Sequence, residues 1–224
     1  EHIASGIDHL AFVLCLVLLA TSIQRLVILV SGFTLGHSLT LALSALGVVA
    51  PNPSIVEAVI GGSIAALAAE GILTRAGLMP RAGLVAAALI YLIAGLSIFF
   101  TAPLTLAGWA GFMLFAVSYG FAIRTEADRQ AVAPVITAAF GLFHGLGFAG
   151  LLHDVGLPEG QVLSGLLGFN LGVEFGQLIF IFAILLPLRV LLQDLPSPRI
   201  RWSDILASIL TGYGVFLFVQ RGLL

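Results

Sequence analysis

Charged residues are scarce in this chain: Asp, Glu, Lys and Arg make up 9% of its 224 residues. Soluble domains carry roughly 25% charged residues. Hydrophobic residues make up 60%, which is more apolar surface than a soluble fold of this size can bury. A soluble protein is therefore excluded, and a polytopic membrane protein with the lipid bilayer as its partner is predicted. A net charge of −2 with no basic patch gives no reason to expect nucleic acid.

Lysine is missing altogether, so all nine basic residues are arginines. Cysteine occurs once, as Cys15 in an apolar run, so an intrachain disulfide is excluded and a small core residue is expected. No cleavable signal peptide is recognisable. The sequence starts at Glu1 without Met and enters an apolar helix at once, so we expect the natural protein to extend upstream.

Apolar runs long enough to cross a bilayer fill most of the chain. A crossing needs about 20 mostly apolar residues. Eight such spans are predicted in a single all-α transmembrane domain, at residues 2–22, 26–46, 54–73, 82–100, 104–123, 131–152, 161–192 and 205–219. The seventh is too long for a simple crossing, so Pro187 is expected to kink its end or to mark its exit into an interfacial segment.

The arginines alternate from one connection to the next. Eight of them follow spans one, three, five and seven, namely Arg25, Arg75, Arg81, Arg124, Arg129, Arg189, Arg199 and Arg201. The connections around Asn52, Ala102 and Asp154 carry none, and Arg221 is the one exception to the pattern. Because positive residues mark the cytoplasmic side, both termini are predicted to be extracytoplasmic.

Ionisable side chains inside four of the spans form the candidate site. At about 1.5 Å per helical residue, Asp8 and His9 lie roughly 10 Å from the outer face, His37 roughly 14 Å, His144 roughly 12 Å and Glu174 roughly 20 Å. Such residues are costly in a membrane and therefore indicate function. Three imidazoles and two carboxylates in one layer suit a divalent transition metal, with nickel, zinc and cobalt as the candidates.

Four further polar residues are assigned to the surroundings of this site. His2, at the outer boundary, is predicted to be a first docking ligand or a solvated side chain. Ser38, Asn170 and Gln177 are predicted to lie behind the ligands, where their hydrogen bonds would orient a histidine ring. Hydrogen bonds between helices are the equal alternative for these three residues.

Two other carboxylates are expected near the ends of span three. Glu57 is interpreted as an interfacial residue. Glu70 lies near the cytoplasmic end, where pairing with Arg75 or Arg81 is expected and a role as an exit ligand is the alternative.

Glycines four residues apart occur in spans two, six and seven. They are Gly32 and Gly36, Gly141 and Gly145, and Gly168, Gly172 and Gly176. Small residues at this spacing let helix backbones approach closely in a membrane. We therefore expect these faces to pack against other helices, in the same spans that carry the buried polar residues.

Four motifs resemble the HupE/UreJ family of bacterial membrane proteins. They are His2-x5-Asp8-His9, Gly36-His37-Ser38 with Thr40, Phe143-His144-Gly145-Leu146-Gly147-Phe148-Ala149, and Gly168-Phe169-Asn170-Leu171-Gly172-Val173-Glu174-Phe175-Gly176-Gln177. The resemblance covers spans one to three and six to eight. It is strongest to the HupE/UreJ_2 branch, whose members often carry an extracytoplasmic region before the membrane part.

The resemblance implies a multi-pass protein of the bacterial inner membrane that acts as a nickel permease or related metal carrier. It ties the His-x5-Asp-His motif to that activity and implies an extracytoplasmic region upstream of Glu1. The chain departs from the family in two places. Phe148 stands where the better-studied branch has a second histidine, and spans four and five resemble an insertion beyond the usual six.

Three functions are open for one such site. The first is a secondary permease, in which His2 and Asp8 collect the ion and the deeper histidines and Glu174 hold it. With no nucleotide-binding motif, the membrane potential would drive it, with about 4.6 kcal/mol for a divalent ion at about 100 mV. The second is an intramembrane zinc-dependent hydrolase with Glu174 or Asp8 as general base. The third is a structural or sensing module in which the metal only ties helices together.

Overall fold

A computed structural model of the chain describes residues 2–49, 52–75, 125–155, 162–187 and 201–223, together with positions 114, 118 and 190. The predicted spans four and five lie outside the described residues, apart from two of these single positions. The statements that follow concern the described residues.

The described residues form six α-helices and no strand. The helices are α1 (His2–Leu19), α2 (Ile23–Ala45), α3 (Pro53–Arg75), α4 (Glu126–Val155), α5 (Val162–Phe180) and α6 (Trp202–Leu223). They correspond to predicted spans one, two, three, six, seven and eight. By length and composition α2 to α6 could each cross a membrane, and α1 contributes a shorter apolar helix over Gly6–Leu19. The prediction of an all-α bundle is thereby confirmed for these six elements.

Side chains that accept from free backbone N–H groups fix where several helices begin. Ser22 caps α2 and accepts from the backbone N–H of Arg25 at 3.2 Å. Asn52 accepts from the first turn of α3 at 3.0 Å. Thr125 and Asp128 form a reciprocal capping pair at the start of α4, with distances of 2.9 and 3.1 Å. Each contact satisfies a donor that a helix start otherwise leaves unpaired.

Glycine lets α2 and α4 pack with their backbones in contact. A Cβ atom at Gly36 would collide with the carbonyl oxygen of Ala138, and one at Gly141 would collide with that of Phe33. The residue numbers of the contacting pairs increase in the same direction along both helices, so the two helices run in parallel. This confirms the prediction of close packing for the glycines of spans two and six, as expected for small residues in membrane helices.

A second close pair joins α3 to α6, which run antiparallel. A Cβ at Gly61 would lie 2.7 Å from the backbone nitrogen of Phe218, and one at Gly214 would lie 2.7 Å from the carbonyl oxygen of Gly61. The sequence analysis does not anticipate this pair, because its glycines are not spaced four apart within one helix.

The third predicted glycine face has no packing partner among the described residues. A Cβ added at Gly168, Gly172 or Gly176 of α5 would meet nothing within 4 Å. The expectation of close helix packing is therefore not confirmed for these glycines within the described part of the chain.

A proline inside α4 explains an arginine at the start of α2. Pro134 has no N–H to give to the carbonyl four residues earlier, which belongs to Gln130. Arg25 donates to that carbonyl at 3.0 Å and to the Gln130 side chain at 3.3 Å. The contact therefore ties the first turns of α2 and α4 together.

Helix α1 lies between the two glycine-packed pairs and forms the centre of the core. Phe12, Val13, Cys15 and Leu16 are fully buried there. The thiol of Cys15 donates to the carbonyl of Ile64 on α3 at 3.8 Å. Cys15 is thus the small core residue that its sequence context predicts.

The C-terminal end of span seven departs from regular α-helix. A π-helical turn, Ile181–Leu185, follows α5, and the N–H of Leu186 bonds to the carbonyl of Ile181. Pro187 follows this turn after one residue, Leu186. Such turns locally change the direction of a helix, so the irregularity predicted at Pro187 begins a few residues before it.

Ion pairs mark the two ends of the bundle. At the end where α1 and α3 finish, Glu70 lies 3.7 Å from Arg129 of α4, and Arg129 donates to the carbonyl of Leu19 at 3.5 Å. Arg129 is a partner that the sequence analysis does not name for Glu70; the side chains of Arg75 and Arg81 lie outside the described residues. We call this the Glu70 end, and the opposite one, where α1 and α3 begin, the Asp8 end.

Candidate metal centre

Three histidines from three helices meet inside the bundle. His9 of α1 has its ring centroid 5.5 Å from that of His37 of α2 and 6.1 Å from that of His144 of α4. They are 5%, 1% and 1% exposed. Two imidazoles that share one ion at about 2.1 Å through one nitrogen each have centroids roughly 5 Å apart. The observed spacing is therefore within reach of a shared ion by side-chain rotation.

Phenylalanines enclose these three rings. Phe12 packs against His144 with the two rings tilted and a centroid distance of 4.6 Å, and Phe33 lies 5.1 Å from the same ring. Phe148 meets His9 edge-on at 5.7 Å and His37 at 5.3 Å. An apolar enclosure of this kind lowers the local dielectric and so strengthens any ion–ligand interaction made inside it.

Ser63 of α3 determines which nitrogen of His144 carries the proton. The Ser63 hydroxyl donates to the carbonyl of Ile60 at 2.7 Å, which uses its single proton. Its oxygen also lies 3.1 Å from Nε2 of His144. Nε2 is therefore the donor in this contact, and the lone pair of His144 is on Nδ1. Hydrogen bonds that fix the tautomer in this way are typical behind metal-ligating histidines.

Gln177 of α5 plays the corresponding part for His9. Its side-chain amide contacts Nε2 of His9, and its oxygen accepts from the Thr34 hydroxyl at 3.5 Å. With the amide nitrogen toward the ring, Nε2 accepts and Nδ1 holds the proton. Rotation of the amide by a half-turn places its oxygen there, and the lone pair then moves to Nδ1 of His9.

Several imidazole nitrogens of the cluster are buried without a hydrogen bond. They are Nδ1 of His9 and both ring nitrogens of His37. Buried polar atoms are nearly always paired, and an unpaired one costs about 1–3 kcal/mol. An unpaired nitrogen on each of two adjoining rings is what a site for a borderline metal ion would present, provided that this nitrogen carries the lone pair.

Asp8 contacts a different set of residues from its neighbour His9. Tyr213 donates to one carboxylate oxygen of Asp8 at 2.7 Å, and Arg221 lies 2.6 Å from the other. Adjacent residues point about 100° apart around a helix, which directs Asp8 toward α6 and His9 toward α2. The expectation that Asp8 and His9 face one ion is therefore not what the described residues show.

Of the remaining predicted ligands, Glu174 forms no metal-holding group with the histidines within the described residues. Glu174 is partly exposed on α5. His2 belongs to the first turn of α1, and its side chain lies outside the described residues. No group of three or more His, Cys, Asp and Glu side chains in the described part of the chain is arranged to hold a metal ion. The rings of the three histidines would have to turn before their nitrogens could converge.

Ser38 and Asn170 connect two helices. The Ser38 hydroxyl donates to the Asn170 side-chain oxygen at 2.9 Å, and the Asn170 amide donates to the carbonyl of Leu166 at 2.9 Å. This matches the alternative of a hydrogen bond between helices. Of the three residues predicted to lie behind the ligands, Gln177 contacts His9 and Asn170 interacts with His37.

A groove of about 660 Å³ reaches His9 from the side of the bundle between α1 and α5. Its lining is apolar, with Ile7, Phe169 and Val173 among its residues. His9 and Gln177 are the polar side chains in its lining. Within the described part of the chain, the cluster is therefore nearest to the outside at the contact between these two residues.

The family model described as HupE / UreJ protein matches the chain over residues 1–99 and 83–221. The chain belongs to the HupE/UreJ family. This family is generally linked to nickel and cobalt transport. Together with the apolar helices, membership makes the chain a multi-pass membrane protein. Neither the curated proteins nor the solved structures contain a significant match.

The four HupE/UreJ motifs each contribute one side chain to the same place. His9 comes from the first motif, His37 from the second, His144 from the third and Gln177 from the fourth. Segments far apart in the sequence thus supply three neighbouring imidazoles and the amide that contacts one of them.

Sequence reasoning did not identify Ser63, Tyr213 or Arg221 as part of this region. Arg221 carried a usable indication, because it is the one arginine outside the alternating charge pattern. Ser63 carried a weaker one, as a lone hydroxyl near the middle of an apolar span. Nothing in the sequence distinguishes Tyr213 from an ordinary interfacial aromatic residue.

Proposed function

We propose that this protein is a secondary permease for a divalent transition metal, most of all nickel. We assign its binding site to His9, His37 and His144. The observation that carries the proposal is a buried cluster of three imidazoles, two of which have unpaired ring nitrogens, in a family linked to nickel and cobalt transport. Metal is the cargo in this scheme.

The ligand chemistry favours nickel, cobalt or zinc over harder and softer ions. Imidazole nitrogen suits these borderline metals, whereas calcium and magnesium prefer carboxylate and carbonyl oxygens, and copper(I) prefers sulfur. The one cysteine, Cys15, bonds to the backbone of α3. A nitrogen-only inner site therefore has the composition that a nickel carrier would need.

The arrangement of the three histidines also suits transport better than permanent storage. The histidine rings are close but do not converge, so an ion that gathers them loses part of its binding free energy to that rearrangement. Conduction requires a site weak enough to release its ion. About ten residues of α1, or roughly 15 Å, separate His9 from the Glu70 end, and release toward the cytoplasm would require that end to open.

The proposal is tested by nickel uptake into proteoliposomes with an inside-negative potential. We expect saturable uptake by the wild-type protein. In His37→Ala and in His144→Ala, the apparent affinity for nickel should be at least about ten-fold weaker. His153→Ala is the matched control, because it removes a histidine nine residues beyond His144 on α4. It should leave uptake unchanged.

The result that would end the permease proposal is equally specific. It is wild-type protein that moves no nickel, cobalt or zinc above empty liposomes yet retains tightly bound zinc through purification. That combination would favour the zinc-dependent hydrolase instead.

A further inference from the structure

Arg221 joins two carboxylates from two different helices at the Asp8 end. Its Nη1 lies 2.6 Å from Asp8 of α1, and its Nε lies 3.4 Å from Glu57 of α3. The two carboxylates differ in environment, because the Asp8 side chain is 3% exposed and that of Glu57 is 49% exposed. One guanidinium thus lies between a buried acceptor and a half-exposed one.

A buried carboxylate needs a counter-cation, and Arg221 supplies it for Asp8. Breaking a buried pair by removing one partner is costly because the other charge stays in a low dielectric. Tyr213 completes the contacts of this carboxylate with a hydrogen bond at 2.7 Å. Because Asp8 faces α6 and not the histidines, a metal ion can use Asp8 only after this carboxylate leaves the guanidinium and turns toward His9.

We propose that Arg221 is a tethered competing cation, which holds Asp8 while the cluster is empty and shifts fully onto Glu57 when a divalent ion enters beside His9. This inference rests on the proposed function. The shift requires only rotation of the Arg221 side chain, because its guanidinium is already within ion-pair distance of both carboxylates. Arg221 is thus a positioning residue that lowers the apparent metal affinity and makes release easier.

The two sides of the bridge have opposite effects on metal binding. Arg221→Gln removes the competitor and leaves a buried carboxylate to attract the ion, so binding should become tighter. Glu57→Gln removes the position to which the guanidinium shifts, so Arg221 should hold Asp8 more firmly and binding should become weaker. A bridge that only stabilised the fold would not separate the two variants in this way.

The experiment is equilibrium dialysis of radioactive nickel chloride against the purified full chain in detergent. We expect Arg221→Gln to bind nickel about ten-fold more tightly and Glu57→Gln to bind it a few-fold more weakly, the scale of coupling between contacting residues. Arg201→Gln is the matched control, since Arg201 is exposed at the start of α6. It should leave nickel binding unchanged.

Two further measurements separate competition at Asp8 from a general charge effect. In an Asp8→Asn background, Arg221→Gln should no longer tighten binding. The effect should also persist at about 1 M salt, where charges more than about 3 Å apart in solvent are screened. If Arg221→Gln acted only through a long-range field, it would still tighten nickel binding in the Asp8→Asn background and would no longer do so at high salt. That outcome overturns the inference.

Failure of this inference and failure of the proposed function have different results. Wild-type protein that binds nickel through His37, together with an Arg221→Gln variant that binds no more tightly, refutes the competing cation alone. If neither the wild-type protein nor any of the variants binds nickel, both the competing cation and the proposed function are refuted. If Arg221→Gln does not accumulate as folded protein, Glu57→Gln decides the question: unchanged or tighter binding by that variant overturns the inference.

Discussion

The chemistry of the cluster depends on which nitrogen of each imidazole is open. Ser63 holds Nε2 of His144 as a donor, and Gln177 contacts Nε2 of His9. The ring of His37 has no hydrogen bond of good geometry, and Asn170 is the side chain that interacts with it. The three rings are thus oriented from two other helices: α3 through Ser63, and α5 through Gln177 and Asn170.

Ser63→Ala tests whether orienting His144 matters for metal binding. The change leaves the Nε2 proton of a fully buried ring without its acceptor, so we expect a loss of about 1–3 kcal/mol in the free energy of unfolding. Nickel affinity should fall by about ten-fold or more, as it does when residues behind metal ligands are removed. Dialysis and thermal melting measure the two effects.

The matched control for Ser63 is Ser208 on α6. Its hydroxyl also donates to a backbone carbonyl of its own helix, that of Asp204 at 2.7 Å, but it is exposed. Ser208→Ala should change neither nickel affinity nor the melting temperature. Wild-type nickel affinity in Ser63→Ala would show that the tautomer of His144 does not matter.

Depth could be predicted from the sequence, but rotational position around each helix could not. Helical rise correctly placed His9, His37 and His144 in one layer. It placed Asp8 there as well, yet Asp8 lies on another side of α1 and contacts α6. Ser63 was missed for the same reason, because its proximity to His144 depends on which helix packs beside α4.

The α2–α4 pair is the element that positions two of the three histidines. Its glycines allow contact at the level of backbone atoms, and Thr40 adds a hydrogen bond to the carbonyl of Leu142 at 2.7 Å. His37 and His144 are therefore held on a common, closely packed unit, while His9 arrives on α1. Movement of α1 relative to this pair would change the distance of His9 from His37 and His144.

Gly145→Ala should disrupt this unit. The new Cβ would collide with the carbonyl oxygen of His37 and with the Thr40 hydroxyl, so the two helices must separate. We expect a lower melting temperature and at least about ten-fold weaker nickel binding. Overpacking of this kind typically costs about 1–3 kcal/mol.

Gly172→Ala is the same substitution in another family motif, and it should have the opposite sign. A Cβ at Gly172 meets nothing within 4 Å among the described residues. Alanine is favoured over glycine inside a helix by about 1 kcal/mol. Equal destabilisation by Gly145→Ala and Gly172→Ala would show that the close contact between α2 and α4 does not hold the histidines.

At the scale of the molecule, the described helices alternate in direction. Contacts between residues at matching heights show that α1, α3 and α5 run one way and α2, α4 and α6 run the other. Arg25, Arg129 and Arg201 accordingly belong to the Glu70 end, and Arg221 belongs to the Asp8 end. The charge pattern in the sequence could predict this alternation because each crossing reverses the chain. It could not predict that Arg221 would be retained by two carboxylates.

Two glutamines make a matched pair for measuring the orientation of the chain in the membrane. Gln24 is exposed at the start of α2, on the Glu70 end, and Gln220 is exposed near the end of α6, on the Asp8 end. The native thiol of Cys15 is fully buried, so it gives little background to a thiol reagent. Gln24→Cys and Gln220→Cys can therefore be labelled in intact cells with a membrane-impermeant maleimide.

We expect Gln220→Cys to react in intact cells and Gln24→Cys to react only after the membrane is permeabilised. The reason is the excess of arginine at the Glu70 end, which should hold that end in the cytoplasm. Labelling in the reverse order would place the Asp8 end inside the cell. The carboxylates bridged by Arg221 would then lie where the ion leaves, and the same competing cation would promote release instead of controlling entry.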